Sequence, residues 1–329
     1  MVVTLRKYLM LTRIQSGAAT AIAPVAAALA SEPYGCQLPS LAVLFVMGLL
    51  VHIFGFALNE YMDLRVDRLA GELSTKPLVS GDIPPHHALY IAITAVFSAV
   101  ILSVIFFPGP LVYLFILATS LGGAYDLYSK RMVGSDLLLG TWIFVFCIYG
   151  SLAVTGKVSA LALVVALLFF VQLVFQTAVT GGLKDVEHDL AGGARTPPIW
   201  LGVRVENGEI RMTPAFRSYS IAWKLANIVL ALLPFVVLGS RYNLVQIALL
   251  LFAGMQAMRL TIQALQGGVF DRKKKMNLLL RQEIFSYILI PVMLFTTVGF
   301  RTFLTILLLP ILWLAFWILA IYGKRLPNV

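Results

Sequence analysis

Long apolar runs separated by shorter polar segments dominate the chain. We predict ten membrane spans, because the runs are mostly long enough to cross about 30 Å of hydrocarbon as helices: 11–30, 41–62, 88–107, 109–127, 135–154, 158–181, 218–239, 243–265, 283–298 and 301–322. The ninth run is short, so the last two could instead be one broken element, which leaves nine to ten spans. A spanning helix satisfies its backbone hydrogen bonds within itself. The pattern therefore predicts an all-α, polytopic transmembrane helical bundle.

Composition and charge agree with a membrane protein. Hydrophobic residues make up 60% of the chain and charged residues only 12%, whereas a soluble domain carries roughly 25% charged residues. With the N-terminus in the cytoplasm and alternating spans, most loop lysines and arginines fall inside, and only Lys157, Arg241 and Arg301 fall outside. We therefore expect an integral protein of the cytoplasmic membrane with both termini cytoplasmic. We interpret the net charge of +10 as contact with membrane lipid and not with nucleic acid.

Acidic residues are few and concentrated at two predicted helix ends. Seven of the 15 lie in two short stretches, after the second and the sixth predicted span. Asn59, Asp63 and Asp67 in the first stretch, and Asp185 and Asp189 in the second, recur every four residues, which places them on nearly one helix face. Both stretches fall on the cytoplasmic side of the predicted topology. Stacked carboxylates repel one another unless a cation lies between them, so the spacing indicates cation binding.

Three segments then carry a family resemblance. NEYMDLRVD (59–67), followed by KPLVSG (76–81), resembles the first aspartate-rich motif of the UbiA-type intramembrane prenyltransferase superfamily. KDVEHD (184–189), followed by GARTPP (193–198), resembles the second motif. YDLYSKR (125–131) is similar to the basic and aromatic segment between them.

The resemblance implies a fold and a reaction. Members of the superfamily fold as a helical bundle around a central cavity that opens to the cytoplasm and laterally to lipid. They transfer a prenyl group from a polyprenyl diphosphate to an acceptor, with magnesium held by the two acidic motifs. Residues 1–329 would form one integral-membrane prenyltransferase domain. Its core would cover about residues 5–300, and 301–322 would be a helix beyond the nine spans of most relatives.

The motifs also imply roles for individual residues. Asn59, Asp63 and Asp67 would bind one Mg²⁺, and Asp185 and Asp189 would bind a second, the four aspartates acting as catalytic residues. The diphosphate would contact a further set of side chains, of which Lys130 is also assigned to catalysis: Lys76, Lys130, Arg131, Arg195, Arg13 and Tyr125. A plainer interpretation remains open for all of them. The basic residues could serve topology, Tyr125 could simply pack, and the acids could be paired with neighbouring basic residues.

Other polar residues receive no catalytic role. Glu60 and Glu187 fall off the metal-binding face of their helices and are interpreted as supporting or solvated residues. His52, within a span, is interpreted as a packed polar residue, and the basic run 272–275 as a topology and lipid-surface signal. Lys224 lies within a span and has no evident acidic partner in the sequence.

The acceptor distinguishes the functional hypotheses. We expect an aromatic or other lipophilic acceptor of quinone-type biosynthesis, and the alternative is a glycerol ether lipid phosphate of the archaeal type. A non-enzymatic transporter is a distant alternative, since it would place ionisable residues near the bilayer midplane beside broken helices. The acidic residues of this chain lie at predicted helix ends instead.

Overall fold

The computed structural model describes residues 2–68 and 74–323. A 3₁₀ turn (Ile14–Ser16) precedes the helix that begins at Gly17, and a π-helical segment (Gln176–Gly181) joins the helix that ends at Phe175 to the one that begins at Gly182. The helices are α1 (Val2–Leu11), α2 (Gly17–Ser31), α3 (Leu38–Asp67), α4 (Pro85–Phe106), α5 (Leu111–Tyr128), α6 (Asp136–Thr155), α7 (Ala160–Phe175), α8 (Gly182–Lys184), α9 (Val186–Ala191), α10 (Pro197–Trp200), α11 (Pro214–Val236), α12 (Leu244–Ala264) and α13 (Arg272–Tyr322).

Nine helical stretches of the described residues are long and apolar enough to cross a membrane. The first eight match the first eight predicted spans, with ends displaced by a few residues. The last two predicted spans form one run, α13, interrupted at Gly299, whose φ of 77° and ψ of 166° are not helical. Each part of α13 exceeds 20 residues, so each can reach across about 30 Å at 1.5 Å per residue. Lys324 and Arg325, which support a cytoplasmic C-terminus, lie outside the described residues.

The chain forms two compact units, and the first comprises the described residues of 1–127, 145–158 and 305–328. At its centre is α2, an alanine-rich helix whose residues are nearly all buried. Two neighbouring helices approach it at glycines: a Cβ on Gly48 would lie 2.5 Å from Ala21, and one on Gly150 would lie 2.6 Å from Pro24. Small residues allow such close backbone contact between membrane helices.

The second unit comprises residues 128–144 and 159–304, apart from the chain end. Its α7 packs against α11, and a buried cluster that includes Phe175, Val186, Ile210 and Leu279 joins the helices to a small antiparallel sheet. The sheet has the order β1-β2-β3, with β1 (Arg204–Glu206), β2 (Glu209–Arg211) and β3 (Gly268–Val269). Positive φ angles at Asn207 and Gly208 form the tight turn between β1 and β2. These strands are a short exception in a helical chain.

The backbone that carries the second acidic motif is irregular. After α7 the chain passes through the π-helical segment and α8, then leaves helical geometry at Asp185, where φ is −106° and ψ is 6°. The amide of Asp189 nevertheless donates to the carbonyl oxygen of Asp185 at 2.8 Å, so the two residues remain one turn apart. Segments of π-helix occur frequently at functional sites. Asp185 therefore does not continue the helical run that begins with α7. It lies immediately before the short helix α9.

Candidate active site

In the first unit, the end of α3 carries a network of buried acids and partly exposed cations. The Asp67 side chain is buried, and its Oδ2 lies 2.7 Å from Lys76 Nζ. Lys76 Nζ also lies 3.1 Å from Glu60 Oε1, and Arg13 Nη2 lies 2.7 Å from that same oxygen. The Arg13 guanidinium is seated 4.9 Å above the ring of Phe56. Glu60 thus links two of the predicted diphosphate-binding cations through one carboxylate.

The other members of the first motif lie beside α5. Asn59 and Asp63 are both half-buried. The Asn59 side chain hydrogen-bonds the carboxylate of Asp126, and the carboxylates of Asp63 and Asp126 are close enough to repel each other. Tyr125, half-buried, precedes Asp126 in α5. Asp126 therefore adds a carboxylate to the oxygen-rich cluster, although the motif resemblance assigned it no part in metal binding.

In the second unit, Asp189 and Asp185 have different environments. Asp189 is buried, and its Oδ1 lies 3.8 Å from Lys130 Nζ. Asp185 is more exposed, and its Oδ1 lies 3.2 Å from Arg272 Nη2. The amide of Arg195 donates to the carbonyl oxygen of Lys130 at 3.0 Å, which brings the loop after α9 next to Lys130. The side chains of Arg131 and Arg195 are exposed.

The donor atoms fit magnesium in type and in number. Within residues 2–68 and 74–323, no group of three or more His, Cys, Asp or Glu side chains is arranged to hold a metal ion. Each motif instead offers one or two carboxylates, which Mg²⁺ commonly combines with water and substrate phosphates. Oxygen donors without imidazole or thiolate also favour Mg²⁺ over softer transition metals. The roles of the individual ligands remain predictions.

Glu60 is the residue whose importance the helix-face argument missed. A repeat of four through Asn59, Asp63 and Asp67 leaves Glu60 to one side. However, Glu60, Asp63 and Asp67 are also spaced i, i+3, i+7, which is one face of a helix. The structure buries Glu60 with two ion-pair partners, so it supports the site as part of the same face.

The basic run 272–275 divides into two faces. Lys273 and Lys274 are exposed, as the surface interpretation requires. That interpretation is wrong for the other two residues. Arg272 pairs with Asp185, and the buried Lys275 donates from Nζ to the carbonyl oxygens of Ala264 and Gln266 at 3.0 and 2.7 Å. The spacing i, i+3 places Arg272 and Lys275 on one face of the helix, and this spacing could have distinguished them from Lys273 and Lys274.

Lys224 is fully buried within α11 and has several partners. Its Nζ donates to Ser286 Oγ at 2.8 Å and lies 3.8 Å from the centre of the Phe175 ring. Glu283 of α13 interacts with it electrostatically. The sequence showed no acidic partner for Lys224, because Glu283 is far away along the chain and is brought close only by helix packing.

Comparison with known proteins decides the family. The model of the UbiA prenyltransferase family matches residues 21–280, which is most of the chain. This protein belongs to the UbiA prenyltransferase family. With nine apolar helical stretches of spanning length in its described residues, this UbiA family member is an integral membrane protein.

The relatives of this UbiA family member include one named enzyme and several solved structures. Digeranylgeranylglyceryl phosphate synthase from Hyperthermus butylicus (strain DSM 5456 / JCM 9403 / PLM1-5) is 26% identical over 210 residues, which are 61% of this chain and 65% of the relative. A UbiA homologue from Archaeoglobus fulgidus bound to GPP and Mg²⁺ has a TM-score of 0.65 at 16% identity, covering 89% of this chain and 99% of the other. A structure reported for the biosynthesis of digeranylgeranylglyceryl phosphate synthase in membranes has a TM-score of 0.61 at 15% identity, covering 95% and 98%. At these identities the structures support the fold alone.

Proposed function

We propose that this protein is a magnesium-dependent prenyltransferase that moves a prenyl group from a polyprenyl diphosphate to a glycerol ether lipid phosphate. The observation that carries this proposal is the pairing of a buried aspartate with a lysine in each acidic motif, Asp67 with Lys76 and Asp189 with Lys130, in a chain of the UbiA prenyltransferase family. Two such pairs provide carboxylates for metal and ammonium groups for diphosphate.

Each part of the network has a task in this proposal. Asn59, Asp63 and Asp67 would hold one Mg²⁺, and Asp185 and Asp189 a second. When bound, the metal would neutralise the negative charge of the diphosphate. Asp67 and Glu60 orient Lys76, and Asp189 orients Lys130. Cations held in place before the reaction stabilise developing charge without reorganising. The diphosphate-binding set would be Lys76, Lys130, Arg13, Arg131, Arg195 and Tyr125.

The reaction itself is an alkyl transfer. The bond between C1 of the prenyl chain and the diphosphate oxygen breaks, and the bonding electrons leave with the diphosphate. The acceptor hydroxyl oxygen then bonds to C1 and loses its proton, which the released diphosphate can accept. Lys76 and Lys130 favour the first step, because ammonium groups stabilise the charge that accumulates on the leaving oxygen. Exclusion of water protects the allylic cation from hydrolysis.

The acceptor is the finer part of the proposal. The named relative from Hyperthermus butylicus is a digeranylgeranylglyceryl phosphate synthase, and this supports a glycerol phosphate lipid over the quinone-type aromatic acceptor that we expected first. The matched stretch spans 65% of that relative. The contacts of the two acidic motifs do not support the transporter hypothesis, since the buried aspartates of these motifs pair with lysines at helix ends.

A competition between acceptors tests this function. Purified protein in nanodiscs would be supplied with Mg²⁺, labelled geranylgeranyl diphosphate and, in parallel, geranylgeranylglyceryl phosphate, 4-hydroxybenzoate or 1,4-dihydroxy-2-naphthoate. We expect labelled product only in the reaction that contains the glycerol lipid. One diphosphate should be released for each prenyl group transferred. Transfer to either aromatic acceptor, without transfer to the glycerol lipid, would restore the quinone-type interpretation. No transfer to any acceptor would count against prenyl transfer itself.

A further inference from the structure

The backbone between α1 and α2 holds Arg13 in an unusual conformation. Its φ of 44° and ψ of 41° are left-handed, and among the described non-glycine residues only Asn207 shares a positive φ. In this region the Cβ of any L-residue crowds the following carbonyl oxygen. The short polar side chain of asparagine can compensate with a local hydrogen bond, whereas the long side chain of arginine does not. Such conformations persist where the surroundings impose them, and they cluster at functional sites. The cause must therefore lie in the contacts of this segment.

Two aromatic side chains hold the two peptide groups that follow the Cα of Arg13. The buried His52 lies with Nε2 3.0 Å from the carbonyl oxygen of Arg13 and with Nδ1 2.9 Å from the hydroxyl of Thr20. Since a carbonyl oxygen only accepts, Nε2 is the donor and carries the proton. Trp313 of α13 donates from Nε1 to the carbonyl oxygen of Ile14 at 2.7 Å. These bonds fix two consecutive carbonyl groups in the turn that directs the Arg13 side chain.

The same face of α3 then receives the guanidinium. His52, Phe56 and Glu60 are spaced every four residues and so stack along one side of the helix. The rings of His52 and Phe56 are 4.5 Å apart between centroids. The Arg13 guanidinium lies over Phe56 and bonds to Glu60. His52 therefore contacts both the backbone of Arg13 and the ring on which its side chain rests.

We propose that Trp313 and His52 are positioning residues for Arg13, and that the part of α13 after Gly299 serves the active site through this contact. The inference rests on the proposed function in one respect, the contact between Arg13 and the diphosphate. It gives the helix beyond 300 a task that neither its apolar composition nor the motif resemblance indicates.

The test compares two tryptophans of the same helix. Trp313→Phe keeps an aromatic ring and removes the N–H donor. Trp317→Phe is the matched control, because the buried Nε1 of Trp317 has no hydrogen-bond partner among the described residues. Calorimetric titration of the folded variants with geranylgeranyl thiolodiphosphate and Mg²⁺ measures binding without turnover. We expect roughly threefold to tenfold weaker binding for Trp313→Phe, the range that loss of one hydrogen bond produces, and less than about twofold for Trp317→Phe.

Two further comparisons separate positioning from general stability. In an Arg13→Ala background, Trp313→Phe should weaken binding no further, since the residue through which it acts is gone. His52→Gln, which keeps an N–H donor, should retain more binding than His52→Phe. Hydrogen exchange at the amides of Ser16 and Gly17, which donate to the carbonyl oxygens of Arg13 and Ile14, should accelerate in Trp313→Phe and stay unchanged in Trp317→Phe.

Three results would overturn the inference: equal losses in the two tryptophan variants, full additivity with Arg13→Ala, or unchanged exchange at Ser16 and Gly17 in Trp313→Phe. Wild-type protein that bound no prenyl diphosphate would refute the proposed function instead, and the exchange comparison would still decide whether Trp313 holds the turn.

Discussion

At the scale of single residues, the candidate site depends on buried carboxylates that each hold a cation in place. Glu60 is the most connected of them, since one oxygen accepts both Arg13 and Lys76. Burying a carboxylate is costly by itself, and the two charged donors offset that cost because they compensate its negative charge where it lies. Loss of that charge would leave two cations close together with less compensation and less orientation.

Replacement of Glu60 by glutamine tests this role. We expect Glu60→Gln to lower the free energy of unfolding by about 1.5–3 kcal/mol, the range for a lost hydrogen bond to a charged group, and to raise the KM for prenyl diphosphate. The matched control is Glu187→Gln, because Glu187 is exposed beside the second motif. Thermal unfolding and steady-state kinetics would measure both effects. Equal changes in the free energy of unfolding and in KM for the two variants would show that Glu60 does not hold Arg13 and Lys76 in place for the substrate.

Lys130 tests the division between site residues and topology residues. Lys130→Ala should weaken prenyl diphosphate binding by about one to two decades, since a bond to a charged group contributes roughly 1.5–3 kcal/mol. Lys130→Arg should keep part of the activity because the positive charge remains. Lys274→Ala removes the same charge from an exposed position and should change little. If Lys274→Ala weakened prenyl diphosphate binding as much as Lys130→Ala does, the exposed lysine would have to be assigned to substrate binding as well.

At the scale of elements, the apolar runs predicted the long helices well and the short elements poorly. A run of about twenty apolar residues is a strong signal, because lipid allows few other structures. Strands of two or three residues, such as β3 (Gly268–Val269), leave no comparable pattern. The break at Asp185 also leaves no pattern in the sequence; it lies just beyond the π-helical segment and the close contact of Gly182 with Pro198.

One lysine of the basic run at the start of α13 stabilises the end of the preceding helix, α12. Lys275 is buried and satisfies carbonyl groups at the end of α12, which would otherwise lack donors. We expect Lys275→Met to lower the free energy of unfolding by about 1–3 kcal/mol, whereas the exposed Lys274→Met should leave it unchanged within about 0.5 kcal/mol. Thermal unfolding in one detergent would compare them. A larger loss in Lys274→Met would contradict the assignment of Lys275 as the cap of α12.

At the scale of the whole molecule, the family and the helical architecture could be predicted, and the ion-pair partners could not. Two acidic motifs in the right order identify the family because their spacing is local. The partners are not local: Arg272 and Asp185 are 87 residues apart, and Arg13 and Glu60 are 47 apart. A single sequence contains no signal for such distant pairs. The sequence also favoured the less well supported acceptor, since none of the residues singled out in it was assigned to acceptor binding.

The interruption of α13 at Gly299 makes the topology testable. If 272–298 and 300–322 each cross the membrane, there are ten spans, and both termini lie on the same side. A reporter fused after Val329 should then read as cytoplasmic, like one fused before Met1. Reporters at the two termini that read on opposite sides of the membrane would reduce the number of spans to nine. A matched fusion within the loop that carries Lys157 should read as extracytoplasmic in either case.

Prenyl transfer measured with one acidic motif disrupted at a time tests whether both motifs are needed for the reaction. Wild-type protein, Asp63→Ala and Asp185→Ala would be compared for transfer of label from geranylgeranyl diphosphate to geranylgeranylglyceryl phosphate, in saturating Mg²⁺ and in EDTA. Size-exclusion profiles and thermal unfolding would show that the variants remain folded. We expect Mg²⁺-dependent transfer in the wild type and a loss of roughly a hundredfold or more in each variant, because each lacks a carboxylate that holds charge against the diphosphate. Transfer that persists in both variants, or in EDTA, would contradict a mechanism based on the two acidic motifs.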